Sequence, residues 1–253
     1  MQGLPKKITP DYLVDTIVEF TMLPLVPPEL WAGLAASSLL DIGFEYIPAP
    51  QIQVRLDHES FSISSDSSDK YVTPGLFVKE HIRFVMYNNA LSFNCELGNY
   101  VGWEIYKHEI SSILSIVQKC GITEKFKRIQ LRYISEFPNI NILEQIEGKI
   151  IIGNPEHALT CSEIKLNREE KGQKIFVFLT NNAKRKDFVS SLFDINIFAN
   201  FAPTSSLAEI QSLLDKVHKT NKETFFLSLK EEFISTLNPE YQDACQSSLC
   251  YNK

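Results

Sequence analysis

The sequence predicts an α+β protein made of two tandem strand-helix-strands-helix units, and three observations carry that expectation. Short stretches that alternate apolar and polar residues are interspersed with longer stretches of helical periodicity. The order strand, helix, several strands, long helix is met twice, over 1–125 and again over 126–238. The 253 residues, 44% hydrophobic and 22% charged, have the composition of a globular chain able to bury one large core or two smaller ones.

The first unit opens with a strand at 16–20. Pro27 and Pro28 then stand where a helix begins, because the missing proline N–H costs nothing in a first turn, and 30–40 is the expected helix. Residues 52–56, 82–87 and 91–97 read as strands, the last two joined at Asn88-Asn89, which tolerates the positive φ of a tight hairpin turn. Tyr106, Ile110, Ile113, Leu114 and Val117 recur at helical spacing and predict a second helix with one buried stripe.

The second unit begins at Phe126 with a strand at 129–134, followed after Pro138 by a short helical segment at 142–146. Strands are expected at 162–166, 175–179 and 192–198, then one long helix with Leu207, Ile210, Leu214, Val217, Phe225, Leu229 and Phe233 along a stripe. Trp31 and Trp103 are expected to anchor helices onto the sheet. The serine-rich stretch 57–70 has too little apolar surface to offset the entropy of ordering and is read as a mobile hairpin tip. Residues 239–253 are read as a flexible tail.

Local echoes accompany the repeated order: Val18-Glu19-Phe20 before Pro24 parallels Ser135-Glu136-Phe137 before Pro138. Each unit has a sheet with one face covered by helices, so two side by side form a curved antiparallel sheet with helices on one face. Such a saddle resembles TATA-binding-protein-like folds.

Several function classes recede on composition. No apolar run reaches the roughly eighteen residues a membrane helix needs, and Pro10, Asp11 and Asp15 interrupt any secretion signal after Lys6 and Lys7, so a cytoplasmic location is expected. The cysteines 95, 120, 161, 245 and 250 form no CxxC pair and the histidines are scattered singly, so neither a metal nor another cofactor is expected. The net charge of −6 lies in the first half, with 9 Lys and Arg against 15 Asp and Glu over 1–125 and 16 of each thereafter. That acidity argues against generic nucleic-acid binding and favours a protein partner. G-x-S-x-G, Gly-rich phosphate loops and H-E-x-x-H are absent, so enzyme chemistry has little to start from.

Candidate binding residues follow from strand alternation, which sends successive side chains to opposite faces. Ile129, Leu131 and Tyr133 go under the helices and leave Gln130 and Arg132 outside. Phe193, Ile195 and Ile197 go inward and leave Asp194 and Asn196 outside, while Ser92, Asn94 and Glu96 face out from 91–97. Glu19, Asn94, Glu96, Arg132, Asp194 and Asn196 thus line a concave polar surface suited to gripping a partner. The bland alternative is a half-solvated sheet on which Arg132 and Asp194 pair across strands for about 1 kcal/mol. His218, near the apolar stripe of the last helix, is read either as a donor to a bound group or, more simply, as a packing residue. Lys184-Arg185-Lys186 reads as a solvated turn, with a small anion or RNA contact as the alternative.

The chain also resembles a sporadically distributed, uncharacterised bacterial protein family of similar length. Ile17-Val18-Glu19-Phe20 resembles that family's first strand, and Leu131-Arg132-Tyr133-Ile134 its central Leu-Arg-Tyr-Ile strand, with Ser135 where Asn is usual. Asp194-Ile195-Asn196 is similar to its Asp-Ile-Asp strand with Asn196 for the second Asp, and Leu214-Asp215-Lys216-Val217-His218 followed by Phe225-Phe226 to its closing helix. The family's patchy distribution implies a neighbour-encoded protein partner within a toxin-antitoxin or anti-phage defence module. The leading expectation is therefore a non-catalytic binding or regulatory protein, antitoxin-like or accessory. The alternatives are a metal-dependent hydrolase or nuclease using Glu19, Glu96 and Asp194 around a divalent cation, and a small-ligand sensor with a pocket between sheet and long helix.

Overall fold

The computed structural model describes residues 4–48, 54–57, 60–63, 75–87, 89–95, 100–148, 162–184 and 189–241. Its centre is an open, wholly antiparallel sheet of nine strands. In chain order the elements are β1 (Leu13–Pro24), α1 (Trp31–Asp41), β2 (Glu45–Pro48), β3 (Val54–Asp57), β4 (Ser60–Ile63), β5 (Gly75–Lys79), β6 (Ile82–Tyr87), β7 (Ala90–Cys95) and α2 (Trp103–Lys119). There follow β8 (Thr123–Pro138), α3 (Ile142–Gln145), β9 (Ser162–Glu170), β10 (Gln173–Lys184), β11 (Val189–Thr204), α4 (Leu207–Ser228) and α5 (Glu231–Thr236). The strand order is β2-β5-β6-β7-β1-β8-β11-β10-β9, and β3 and β4 form a separate two-stranded ribbon.

The helices take one face of the sheet. Val18 and Phe20 of β1, Phe84 and Met86 of β6, Leu91 and Phe93 of β7, Ile129 and Leu131 of β8, and Phe193, Ile195 and Ile197 of β11 share a core with Ile110, Ile113 and Val117 of α2 and Ile210, Leu214 and Val217 of α4. All of these strand positions have one parity, as the pleat requires. The buried stripe of α2 is Tyr106, Ile110, Ile113, Leu114 and Val117, the set its periodicity predicts. Tyr106 Oη donates to the Phe93 carbonyl at 2.7 Å, so the helix is bonded to β7 as well as packed on it. Gly102, at φ 86°, makes the left-handed turn that starts α2. Ser206 caps α4 by accepting from the Glu209 amide, and Glu209 Oε2 in turn accepts from Thr204 Oγ1 at 2.7 Å.

Some elements differ from the sequence expectation for identifiable reasons. The four longest strands, β1, β8, β10 and β11, run well beyond the apolar segments that announced them, and the 125/126 division falls inside β8. The closing helix is two helices: Leu229 is extended because Lys230 N donates to the Gln145 carbonyl and Glu147 N to the Ser228 carbonyl, taking the chain out of the helical ladder. The strand expected at 162–166 continues through Arg168, Glu169 and Glu170 as β9, and the turn follows at Lys171-Gly172, where Lys171 has φ 51°. Part of the serine-rich stretch, Ser60–Ile63, pairs with β3, and the rest of 58–70 lies outside the described residues. The start of the expected tail is tied down, since Glu240 N donates to the Lys7 carbonyl at 2.8 Å, and 242–253 lie outside the described residues. Asn88 of the expected hairpin turn lies outside them too.

No described helix is long and apolar enough to cross a membrane. Cys95 is a buried free thiol and Cys120 a half-buried one; Cys161, Cys245 and Cys250 lie outside the described residues.

Candidate functional site

The opposite face of the sheet carries the site. Strand register sets three adjacent rows across its middle. One row runs Arg83, Asn94, Ile17, Arg132, Asn196, Phe176 over β6, β7, β1, β8, β11 and β10. The row on one side runs Val85, Ser92, Glu19, Gln130, Phe198, and that on the other Asp15, Ile134, Asp194, Phe178. Ile17, Val85 and Ile134 are buried but stand apart from the helix-side core, so this face has an apolar floor beneath its charged groups.

Arg132 and Asp194 form the central contact. Arg132 Nε donates to Asp194 Oδ1 at 2.9 Å and Nη2 to Oδ2 at 2.6 Å, a two-pronged geometry that fixes the guanidinium plane. Asp194 is only 7% exposed, so this pair is screened less than the surface pair the sequence suggested. Glu19 is held from two sides, by the Tyr87 hydroxyl and by Arg128 Nη2 at 3.2 Å. Burial foremost, and then the Glu19 carboxylate, push the Tyr87 phenol far up, so it stays a hydrogen-bond donor. Asp15 is pushed up to about 6, first by burial; Asp194 adds to the rise, while the Thr16 amide, Arg132 and Arg83 oppose it. The site thus holds a carboxyl that changes charge just below neutral pH.

No protein-family model and no curated protein matches this chain.

Of the residues singled out in the sequence, Glu19, Asn94, Arg132, Asp194 and Asn196 share this face, joined by strand register. Ser92 Oγ donates to Asn94 Oδ1 at 3.3 Å. Asn196 Oδ1 is buried and accepts no hydrogen bond. Glu96 lies outside the described residues. His218 is on the helix side, stacked on Trp103 with ring centroids 3.9 Å apart and planes 3° from parallel. Burial, reinforced by Lys222 and Lys107 and opposed by Asp215, pushes it down to about 4. Its ring also meets Tyr133 edge to face, with centroids 6.0 Å apart. Trp103 packs against the helix-side core and also ties α2 to α4, its Nε1 donating to Asp215 Oδ1 at 3.0 Å.

Sequence reasoning passed over Asp15, Arg83, Tyr87 and Arg128, all of which two-residue steps along the full strands would have reached. It also took the open face to be mostly polar. On β10 and β11 that face carries Phe176, Phe178 and Phe198, all half-buried, with Phe176 and Phe198 edge to face at 5.5 Å and the Arg128 guanidinium 5.7 Å from the Phe198 ring. Arg185 and Lys186 lie outside the described residues.

The carboxylates of this face are already engaged. Both Asp194 oxygens accept from Arg132, and Glu19 is occupied by a phenol and a second guanidinium. A divalent cation at these carboxylates would have to displace the arginines. Among the described residues no three His, Cys, Asp or Glu side chains cluster as metal ligands.

Proposed function

We propose that this chain is a non-catalytic binding or regulatory protein that holds a protein partner on the open face of its sheet. The observation that carries the reading is the adjacency of a rigid Arg132–Asp194 pair to the half-exposed rings of Phe176, Phe178 and Phe198 on the face the helices leave uncovered. Arginine and aromatic side chains dominate the energetic centres of protein interfaces, because they combine apolar area with oriented donors at low entropic cost. The three central arginines, 83, 128 and 132, are balanced by Asp15, Glu19 and Asp194, a mixture that suits a protein surface better than a phosphate backbone.

The architecture proposed with this reading is a tandem duplication of TATA-binding-protein-like form. Its support is the strand order. In the first half the opening strand β1 lies beside the last strand of the meander β5-β6-β7, and in the second half β8 lies beside the last strand of β9-β10-β11. The resemblance to a sporadically distributed bacterial family supports an antitoxin-like or accessory role in a toxin-antitoxin or anti-phage module, with the partner encoded nearby.

The test is co-purification of the tagged chain from its native host, compared with Phe176→Ala/Phe198→Ala and Arg132→Glu variants whose fold is verified by circular dichroism. A neighbour-encoded chain retained by the parent and lost from both variants is the expected result. Equal retention by all three, or measurable heat on titration with magnesium or manganese, would overturn the reading in favour of another surface or of metal chemistry. A third reading, a small-ligand sensor, is favoured by a cleft of about 410 Å³ beside the end of α4, lined by Leu166, Val177, Leu179, Phe193 and Leu227. A metabolite extract that raises the melting temperature would support it.

A further inference from the structure

We infer that β9 is a dimerisation edge: a second copy of this chain adds its own β9 antiparallel to the first, centred on Asn167, and continues the sheet across a two-fold axis. The inference is independent of the open-face reading and rests on how the two sheet edges differ. One edge strand, β2, is four residues long and ends in Pro48, two ordinary protections against strand addition. The other, β9, has nine residues and no proline. It pairs with β10 from Ser162↔Asn181 to Glu170↔Gln173 without a register shift, so no bulge twists its outer side away. The outward N–H and C=O groups of β9 meet no other described strand. Leu166 stands 54% exposed on it.

Charges remain as the usual guard of such an edge, and here their order matters. A two-fold axis normal to the sheet keeps each face in register with itself, so the pairing must centre on a residue. Centring on Leu166 sets Glu163 against Glu169, centring on Lys165 sets that lysine against itself, and centring on Arg168 sets Arg168 against itself and Lys165 against Lys171. Centring on Asn167 does the reverse. Lys165 of each copy then faces Glu169 of the other, Glu163 faces the turn residue Lys171, and the two Asn167 amides, able to donate and accept, face each other. On the helix side the same register lays the aliphatic stem of Arg168 against the exposed Leu166 of the other copy. Of these four registers, one opposes unlike charges throughout.

Sedimentation velocity of the full chain from micromolar to near-millimolar concentration reads the association directly. The parent is expected to double in mass as concentration rises. Lys165→Glu and Glu169→Lys each place two like-charged pairs at the seam and should weaken the dimer about tenfold or more. An equimolar mixture of the two variants restores unlike charges at those positions and should associate more tightly than either alone. Circular dichroism checks that each variant keeps its fold. A parent that stays monomeric throughout, a dimer indifferent to both substitutions, or a mixture no tighter than its components overturns the inference; in the first case the charges act as a guard against strand addition.

Discussion

Asp15 and His218 titrate in opposite senses, and their combined effect on stability is predictable. Folding raises Asp15 from 3.8 to about 6, so between those values the folded state holds a proton the unfolded chain has lost, and stability falls as pH rises. Folding lowers His218 from 6.5 to about 4, so there the unfolded chain holds the extra proton, and stability falls as pH drops. Each effect is about 3 kcal/mol at full extent, and over the shared interval they nearly cancel. The parent protein should therefore show a shallow urea-midpoint profile between about pH 4 and 6. Asp15→Asn should gain stability above about pH 6 and decline on acidification, while His218→Gln should be relatively more stable in acid. Profiles that stay parallel for all three proteins would sink this account. Arg132 gives a second residue-scale prediction. Arg132→Ala strands a carboxylate that is 7% exposed and should cost about 3 kcal/mol in urea unfolding, whereas Arg132→Leu with Asp194→Leu together should cost less than the single change.

At the scale of elements, Tyr106→Phe tests whether α2 is bonded to β7 or only packed on it. Loss of the hydroxyl leaves the buried Phe93 carbonyl without that donor and should cost about 1–2 kcal/mol with the fold unchanged, measured by denaturant melts. The element pattern also explains what the sequence revealed and what it hid. α2 was legible because its five buried side chains recur at 3.6-residue spacing against a polar background. The outward residues of β8 and β11 were legible because Arg132, Asp194 and Asn196 interrupt otherwise apolar segments. Phe176 and Phe178 were not, since Ile175 to Leu179 is a continuous apolar run in which period two leaves no trace. Asp15 was hidden because the strand expected at 16–20 stops short of it, and the break between α4 and α5 because it depends on backbone bonds to Gln145 and Glu147, distant in sequence.

At the scale of the whole molecule, the middle of the sheet is a seam between distant parts of the chain. β1 lies beside β8 along its whole length, from Leu13 opposite Ser135 to Pro24 opposite Thr123, with Glu19 opposite Gln130 and Phe20 opposite Ile129. Phe20 is fully buried there, edge to face with Phe93 on one side and Phe126 on the other, so a single ring joins the cores beneath both halves. The site straddles the same seam, with Arg83, Asn94 and Ile17 on one side and Arg132 and Asn196 on the other. Folding must bring β1 to β8 before the site exists, and contacts of such high sequence separation form slowly because loop closure precedes any reward. During synthesis, Thr16 to Thr21 must wait for Ala90–Cys95 to emerge before finding a first partner, and for β8 before finding a second. For that interval the ribosome-bound chain displays one of its most apolar strands bare on both edges, the condition in which chaperone capture competes with folding.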